Sequence, residues 1–279
     1  MDPKSTSFLT SDRVRLRVFE AGVDRPGQPV IAFVPGWSMP GSIWGRQAEL
    51  LSATHKVAVL DPRGQGESPV PRNGFNIERR AEDLHDFVRR YAPVVLVTWS
   101  LASLEALLYI RTHGEYDLQG LVIVDSSVGE ISTLVEPPPT LPPLPGPVLT
   151  FTEELRQDRF RALDNFVRDI FKTPQPEYAL AALRDSAMRM PLEASLSIFP
   201  GNRIPRERWR ETVNAFTRPL LYAVTPQYQG QAEALKRNRP ATRIEVFDKA
   251  GHALFVDEPD RFATLLAGFL RENGLAGAN

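Results

Sequence analysis

Cysteine is absent from the 279 residues of the sequence. Its absence excludes disulfide bonds, thiolate metal sites and a cysteine nucleophile. Histidine occurs only four times, at positions 55, 85, 113 and 252, so few side chains could serve as an imidazole base. The formal net charge is only -1. Such a charge produces no field that attracts nucleic acid or an anionic membrane, and we expect neither as a partner.

Long hydrophobic runs are missing as well. No stretch approaches the ~20 apolar residues of a membrane span, and the N-terminal stretch lacks the apolar run of a signal peptide. Hydrophobic residues make up 42% and charged residues 24% of the chain, which is typical of a globular protein with a full core. We therefore expect a cytoplasmic enzyme with a small-molecule substrate, either a monomer or a homodimer.

Short apolar runs alternate with helical patterns in the first half of the chain. The runs at 29–36, 56–64, 93–100 and 118–127 end in turn or polar residues, and amphipathic segments separate them. This rhythm of strand, helix and strand predicts crossover connections and a parallel sheet that helices cover on both faces. The alternating segment 13–20 predicts a half-exposed edge strand.

The pattern changes in the middle of the chain. Seven prolines stand within 136–148, and three amphipathic helical patterns follow before the sheet resumes. Proline cannot donate ladder hydrogen bonds and stiffens the chain. We therefore predict an α/β core formed by 1–130 and 215–279. A helical cap, 131–214, is inserted after the sixth strand and entered through a proline-rich arm.

Three polar residues with complementary chemistry follow three predicted strands. Ser100, Asp125 and His252 occur in this order, each just past a strand. Ligands of open α/β sheets bind outside the carboxyl ends of the strands. A nucleophile, an orienting acid and a general base could therefore meet there. Two plainer interpretations stay open: Ser100 as a helix N-cap and Asp125 as a turn residue.

The residues around Ser100 fit a nucleophile elbow only loosely. That turn needs small neighbours two residues to either side of the nucleophile, and glycine is usual at both places. Here the two positions hold Thr98 and Ala102. The pattern T-x-S-x-A is weak evidence by itself, and the interpretation depends on the other motifs.

Those motifs resemble the signatures of the α/β-hydrolase family, in the family's order and over nearly the whole chain. They are the oxyanion turn VPGW (34–37), with proline in place of the usual histidine, the following helix IWGRQAELL (43–51), the loop LDPRGQGESPVP (60–71) and the histidine loop with the last helix, AGHALFVDEPDRFATLLAGFL (250–270). The resemblance implies an α/β-hydrolase fold, in which helices flank a mostly parallel central sheet.

Carried over residue by residue, the resemblance implies Ser100 as the nucleophile and His252 as the base. It also implies that the backbone N–H groups of Trp37 and Leu101 form the oxyanion hole. The N–H after the nucleophile lies at a helix N-terminus, where free donors and the positive end of the dipole favour an oxyanion. We also expect a structural ion pair between Asp61 and Arg63.

The acid departs from the usual pattern of the family. Most relatives place an aspartate after the strand that matches 218–226, and here that register falls on Tyr228. Asp125 follows the preceding strand, a position that some α/β-hydrolases, including haloalkane dehalogenases, use for the acid. We favour Asp125; a dyad without an acid, or a polar substitute such as Tyr228, is the alternative.

The favoured function is a serine carboxylesterase that acts on small uncharged esters through an acyl-enzyme. Its pocket would be apolar, with Trp37, Met39, Trp99 and Phe166 as candidate substrate-binding residues, although each could equally be a core residue. We predict no metal and no cofactor.

Two other functions compete with the esterase. Cofactor-independent dioxygenases of 3-hydroxy-4-quinolones are similar in the PGW turn and in the acid after VIVD; there a His–Asp dyad deprotonates the substrate, whose anion reacts with O₂. Their elbow resembles S-H-S-H-G, whereas this chain has TWSLAS. A non-catalytic binding protein of the same fold would need a broken site, and Ser100 and His252 are both present.

Overall fold

The computed structural model of the protein describes residues 4–130, 146–199 and 204–276. Most of the proline-rich arm predicted at 136–148 lies outside these ranges. The side chains of residues 146–150 also lie outside the description, although their backbone is helical.

Eight strands form one sheet in the described part of the chain. The strands are Lys4–Leu9 (β1), Arg15–Ala21 (β2), Val30–Val34 (β3), Val57–Asp61 (β4), Val94–Trp99 (β5), Leu118–Val124 (β6), Leu220–Val224 (β7) and Arg243–Val246 (β8). Their order across the sheet is β1-β2-β4-β3-β5-β6-β7-β8. The pairs β1–β2 and β2–β4 are antiparallel, and the other five pairs are parallel. This mostly parallel sheet confirms the predicted fold class.

The described helices connect these strands or flank the sheet. They are Gly45–Ser52 (α1), Ile77–Tyr91 (α2), Leu101–His113 (α3), Gly146–Gln157 (α4), Arg159–Asp169 (α5), Glu177–Met188 (α6), Leu192–Ser197 (α7), Arg206–Ala215 (α8), Gln229–Asn238 (α9), Leu254–Asp257 (α10) and Pro259–Glu272 (α11). None of them is long and apolar enough to cross a membrane.

The central strands are buried because each face of the sheet packs on helices. In β3, Ile31 and Phe33 join a cluster that includes residues of α1 and α11. Their neighbours Ala32 and Val34 join a second cluster with residues of α2 and α3. Successive side chains of a strand point to opposite faces, so a strand with two covered faces needs a continuous apolar run.

The edge of the sheet differs from the prediction. The segment 13–20 was expected to be the edge strand, but β2 lies between β1 and β4. The edge strand on this side of the sheet is β1, whose sequence KSTSFL contains few apolar residues. An alternating pattern reports one covered face, and it does not distinguish an edge strand from its neighbour.

The last part of the predicted cap packs against the core. Trp209 and Val213 of α8 are buried in the same cluster as Ile110 of α3, and Arg111 forms an ion pair with Glu211 at 3.2 Å. The helix α8 therefore covers the face of the sheet that α3 covers. We use the name cap helices for α4 to α7 only, and the division of the chain into core and cap remains a proposal.

The expected ion pair between Asp61 and Arg63 is wrong. The Arg63 guanidinium binds Asp83 of α2, with its Nε 2.5 Å from one carboxylate oxygen, and it also contacts Asp12 at 3.0 Å. The Asp61 carboxylate accepts the backbone N–H groups of Gly41 and Glu67, each at 2.6 Å. The two side chains have different partners, so their closeness in sequence does not produce an ion pair.

Candidate active site

Ser100 occupies a strained turn between β5 and α3. Its backbone angles are φ 56° and ψ -128°, in a region that residues other than glycine rarely adopt. Ser100 stands at the N-cap position of α3, but its side chain makes no capping hydrogen bond. The hydroxyl is therefore not used for helix capping, and the turn has the sharp strand-to-helix geometry of a nucleophile elbow.

Threonine stands at position 98, where the elbow usually has glycine, and its buried hydroxyl has hydrogen-bond partners. Thr98 Oγ1 lies 3.0 Å from the Ser103 hydroxyl and donates to the Val122 carbonyl at 3.3 Å. The backbone N–H of Ser103 in turn donates to the Ser100 carbonyl at 2.9 Å. A buried hydroxyl is costly only when it is unpaired. The contact between the Thr98 and Ser103 hydroxyls thus allows threonine to occupy this position of the elbow.

The oxyanion turn lies directly against the elbow. In the structure the turn continues past the VPGW motif, and we use the name for residues 35–41. A Cβ atom added to Gly36 would be 3.0 Å from Ser100 Cβ, closer than an ordinary van der Waals contact, so this approach favours glycine. Gln65 Nε2 donates to the Gly36 and Met39 carbonyls at 3.0 and 2.7 Å. Asp61 holds the far end of the turn through the N–H of Gly41. The conformation of the turn is therefore fixed by two side chains from a neighbouring loop.

The predicted oxyanion donors lie on the two elements that meet at Ser100. Leu101 is the first residue of α3, and the first N–H groups of a helix have no intrahelical acceptor. Trp37 follows Gly36 in the oxyanion turn. The positive end of the α3 dipole adds to the attraction for an anion at this point.

His252 and Asp125 form the central polar contact of the site. His252 Nδ1 lies 2.7 Å from Asp125 Oδ2. The other carboxylate oxygen accepts the backbone N–H and the hydroxyl of Thr225, at 2.7 and 2.8 Å. Asp125 has no exposed surface. These contacts do not fit an aspartate that bonds its own turn, because they join the ends of β6 and β7 to the imidazole.

Tyr228, the alternative to Asp125, keeps its phenol proton in this arrangement. Burial, together with the nearby charge of Asp125, raises the pKa of the Tyr228 phenol to about 12. The side chain is therefore neutral at ordinary pH and cannot supply a negative charge beside an imidazole. Among the residues described, Asp125 is the carboxylate at the His252 ring.

The backbone of His252 is anchored beside the elbow. Trp99 Nε1 donates to the His252 carbonyl at 2.9 Å, and the centroids of the Trp99 ring and the imidazole lie 5.1 Å apart. Trp99 immediately precedes Ser100 in sequence. The same indole thus connects the elbow to the histidine loop, residues 250–257.

Trp37 lies at the centre of an aromatic cluster that joins the oxyanion turn to the cap helices. Its ring centroid is 5.5 Å from those of Phe151 and Phe166 and 5.3 Å from that of Phe199. Its indole N–H donates to the Ser195 carbonyl at 2.7 Å. Trp37 and Phe166, two predicted substrate-binding residues, are brought together here.

The other two predicted substrate-binding residues have no surface for a ligand. Met39 is fully buried and Trp99 is 1% exposed, both within the core cluster. The alternative interpretation as core residues therefore fits them better. Their apolar character could not separate a pocket wall from a core, since both exclude water.

The residues that the sequence analysis missed support the predicted ones. Thr225 directly follows β7, so the rule applied to the other strand ends could have found it. Gln65, Phe151 and Phe199 carry no signal of their own, because their partners depend on the tertiary structure. No group of three or more metal-ligating side chains occurs in the ranges that the structure describes.

A sequence model of the alpha/beta hydrolase family matches residues 31–265. The chain therefore belongs to this family, as the motifs indicated. A curated relative, the pimeloyl-[acyl-carrier protein] methyl ester esterase of Vibrio atlanticus (strain LGP32), is 26% identical over 256 residues, which cover 88% of this chain and 95% of the relative.

Solved structures agree with this fold. An esterase from Exiguobacterium antarcticum superposes with a TM-score of 0.79 at 20% identity and covers 95% of this chain and 99% of its own. A bromoperoxidase from Bacillus anthracis gives a TM-score of 0.80 at 19% identity, covering 96% of this chain and 100% of its own. At such identity the similarity concerns the fold alone.

Proposed function

We propose that this α/β-hydrolase is a carboxylic ester hydrolase, with Ser100 as nucleophile, His252 as general base and Asp125 as the orienting acid. The observation that carries the proposal is the 2.7 Å contact between His252 Nδ1 and a fully buried Asp125, beside a serine in a strained turn. The similarity to a methyl ester esterase supports ester chemistry.

The contact between His252 and Asp125 defines the direction of proton transfer. Nδ1–H donates to the carboxylate, and the lone pair is then on Nε2. Nε2 takes the proton of Ser100 Oγ as that oxygen attacks the ester carbonyl, and it returns the proton to the leaving alcohol. A water molecule then attacks the acyl-enzyme by the same route and releases the acid. The negatively charged Asp125 stabilises the imidazolium in each half-reaction.

We propose the N–H groups of Trp37 and Leu101 as the oxyanion hole. Both belong to backbone that is fixed before the substrate binds, one by the oxyanion turn and the other by the start of α3. Preorganised donors stabilise the tetrahedral intermediate without reorganisation during the reaction. We propose that the strained turn at Ser100 presents Oγ beside the Leu101 N–H, where both could act on the same ester carbonyl.

Small uncharged esters are the proposed substrates. Trp37 itself is buried, but the partly exposed rings of Phe151, Phe166 and Phe199 pack around it. These rings offer apolar surface where the cap helices meet the oxyanion turn, which favours an aliphatic or aromatic acyl group. We propose the cap helices, which lie within the inserted segment 131–214, as the cover of the site.

A fluorophosphonate probe followed by peptide mass spectrometry tests the nucleophile. We expect covalent labelling at Ser100, and we expect Ser100→Ala to lose both labelling and hydrolysis of p-nitrophenyl acetate and butyrate. Ser52→Ala, at the end of α1, is the matched control and should keep both. Hydrolysis by Ser100→Ala at the unchanged rate would remove the assignment.

The dioxygenase is the second candidate, because it needs the same contact between His252 and Asp125. Its dyad would deprotonate a 3-hydroxy-4-quinolone without forming a bond to Ser100. Oxygen uptake with that compound, combined with no fluorophosphonate labelling, would favour this candidate over the esterase.

A further inference from the structure

The carboxylate of Asp257 joins the histidine loop to the chain that follows α5. Asp257 Oδ2 accepts the backbone N–H of Gly251 at 2.7 Å and that of Lys172 at 2.9 Å. Gly251 immediately precedes His252, and Lys172 lies three residues after the end of α5. One oxygen atom therefore connects the residue before the predicted base to the segment between the cap helices α5 and α6.

The second oxygen of Asp257 binds the same cap segment. Asp257 Oδ1 accepts the backbone N–H of Thr173 at 2.9 Å and also the Thr173 hydroxyl. The carboxylate thus has four donors, three of them backbone N–H groups. Hydrogen bonds to an ionised acceptor are stronger than neutral ones, so this is a firm connection even though it is partly open to solvent.

Two further contacts connect the same segments. The Ala253 N–H donates to the Ile170 carbonyl at 2.8 Å. A Cβ atom added to Gly251 would lie 2.8 Å from the Ile170 oxygen and 2.9 Å from the Lys172 nitrogen. The residues on both sides of His252 are therefore fixed to the segment 170–173 by contacts that do not involve the His252 side chain.

We propose that Asp257 is a positioning residue for His252. Its carboxylate fixes the histidine loop to the segment 170–173, and so sets the imidazole relative to Asp125 and Ser100. The proposal rests on the proposed function, because it takes His252 as the base. It adds that the cap helices contribute to placing the base as well as to covering the site.

Asp257→Asn tests this role. The amide nitrogen that replaces one carboxylate oxygen carries hydrogens, so it would face backbone N–H groups that it cannot accept. We expect kcat to fall on the order of tenfold to a hundredfold while KM changes little, since a displacement of about 1 Å at a reacting group can have such an effect. Asp257→Glu, which keeps both acceptor oxygens, should recover part of kcat.

Two matched variants accompany the test. Asp260→Asn removes a carboxylate that is 82% exposed and lies 3.8 Å from Arg46, and it should behave as the wild type. Thr173→Val removes only the hydroxyl donor and should give a smaller decrease than Asp257→Asn. It keeps the proposal testable if the latter variant does not fold.

A spectroscopic measurement separates this proposal from the proposed esterase. The proton between His252 Nδ1 and Asp125 should give a far-downfield ¹H resonance, assigned by its loss in Asp125→Asn. We expect that resonance to shift or broaden in Asp257→Asn and not in Asp260→Asn, whether or not the protein hydrolyses esters. If the resonance and kcat of Asp257→Asn match the wild type, the positioning role is wrong. A lower melting temperature with an unchanged resonance would mean that Asp257 only stabilises the fold.

Discussion

The oxyanion turn and the histidine loop both flank Ser100, and both are attached to the cap helices, but the forces differ. The turn is attached mainly by packing, with Trp37 surrounded by three phenylalanine rings and one indole hydrogen bond. The loop is attached by hydrogen bonds from the backbone N–H groups of Lys172 and Thr173 to its Asp257 carboxylate, and by one from Ala253 to the Ile170 carbonyl.

This difference corresponds to what each element has to do. Apolar packing is not directional, and it stabilises the turn while Gln65 and Asp61, which lie outside the turn, fix its conformation through hydrogen bonds. Hydrogen bonds are directional, and they suit a base whose lone pair has to point at one oxygen atom. Substitutions on the histidine side should therefore act mainly on the rate, and substitutions at the turn should act mainly on stability.

The largest expected effect on the histidine side comes from Asp125→Asn. The two donors of Thr225 keep the amide oxygen on their side, so the amide nitrogen faces Nδ1 and donates to it. The imidazole proton then sits on Nε2, the wrong tautomer for a base, and kcat should fall on the order of 10⁴. The kcat for p-nitrophenyl acetate and the melting temperature, measured together, check the prediction. A decrease of less than tenfold would return the role of the acid to another group.

Trp37→Ala is the corresponding change at the oxyanion turn. It removes a buried ring, and the free energy of unfolding should fall by about 3–5 kcal/mol. Chemical denaturation measures this loss. Trp37→Phe keeps an aromatic ring and loses only the bond to Ser195, so it should be far milder. Trp209→Phe, on α8, is the matched control for Trp37→Phe, because it makes the same substitution at a buried tryptophan away from the turn. If Trp37→Ala is as stable as the wild type, packing does not hold the turn.

Thr225→Val should have an intermediate effect. The variant keeps the shape of the side chain and removes one of two donors to Asp125 Oδ1, the carboxylate oxygen that does not contact His252. Hydrogen bonds to charged groups are worth at least ~1.5 kcal/mol, and we expect kcat to fall about tenfold. Thr225→Ser restores the hydroxyl and should restore kcat; no difference between the two variants would argue against a role for this bond.

Tyr228→Phe should have the smallest effect. With a pKa of about 12, the Tyr228 phenol keeps its proton over the whole range in which His252 is expected to work. We expect kcat within about twofold of the wild type and the same dependence of kcat on pH from 5 to 9. A change in the shape of that profile would show that the phenol takes part in the proton transfer.

The positions of Ser100, Asp125 and His252 could be predicted from the rule for strand ends together with the motifs of the α/β-hydrolase family. Parallel strands bring their carboxyl ends to one edge of the sheet, so residues distant in sequence meet there. The contact between His252 and Asp125 agrees with this expectation.

The supporting residues could not be predicted in the same way. Gln65 and Asp257 bind backbone groups of distant turns, and the partner depends on how those turns are folded. Arg63 had an acidic neighbour at Asp61, but its fully buried guanidinium found Asp83 on α2. Local sequence indicates which residues are charged, while the packing of elements decides which charges meet.

The attachment of α8 to the core has a consequence for how such a protein can diversify. Since α8 packs with α3, we propose the chain from residue 131 to the start of α8 as a cassette, whose exchange would leave the sheet and Asp125 in place. A foreign cassette would have to provide a carbonyl acceptor for the Trp37 indole and N–H donors for Asp257. These two docking points define a grafting rule: substrate range can change with the cassette, provided that the geometry around Ser100 is inherited from both.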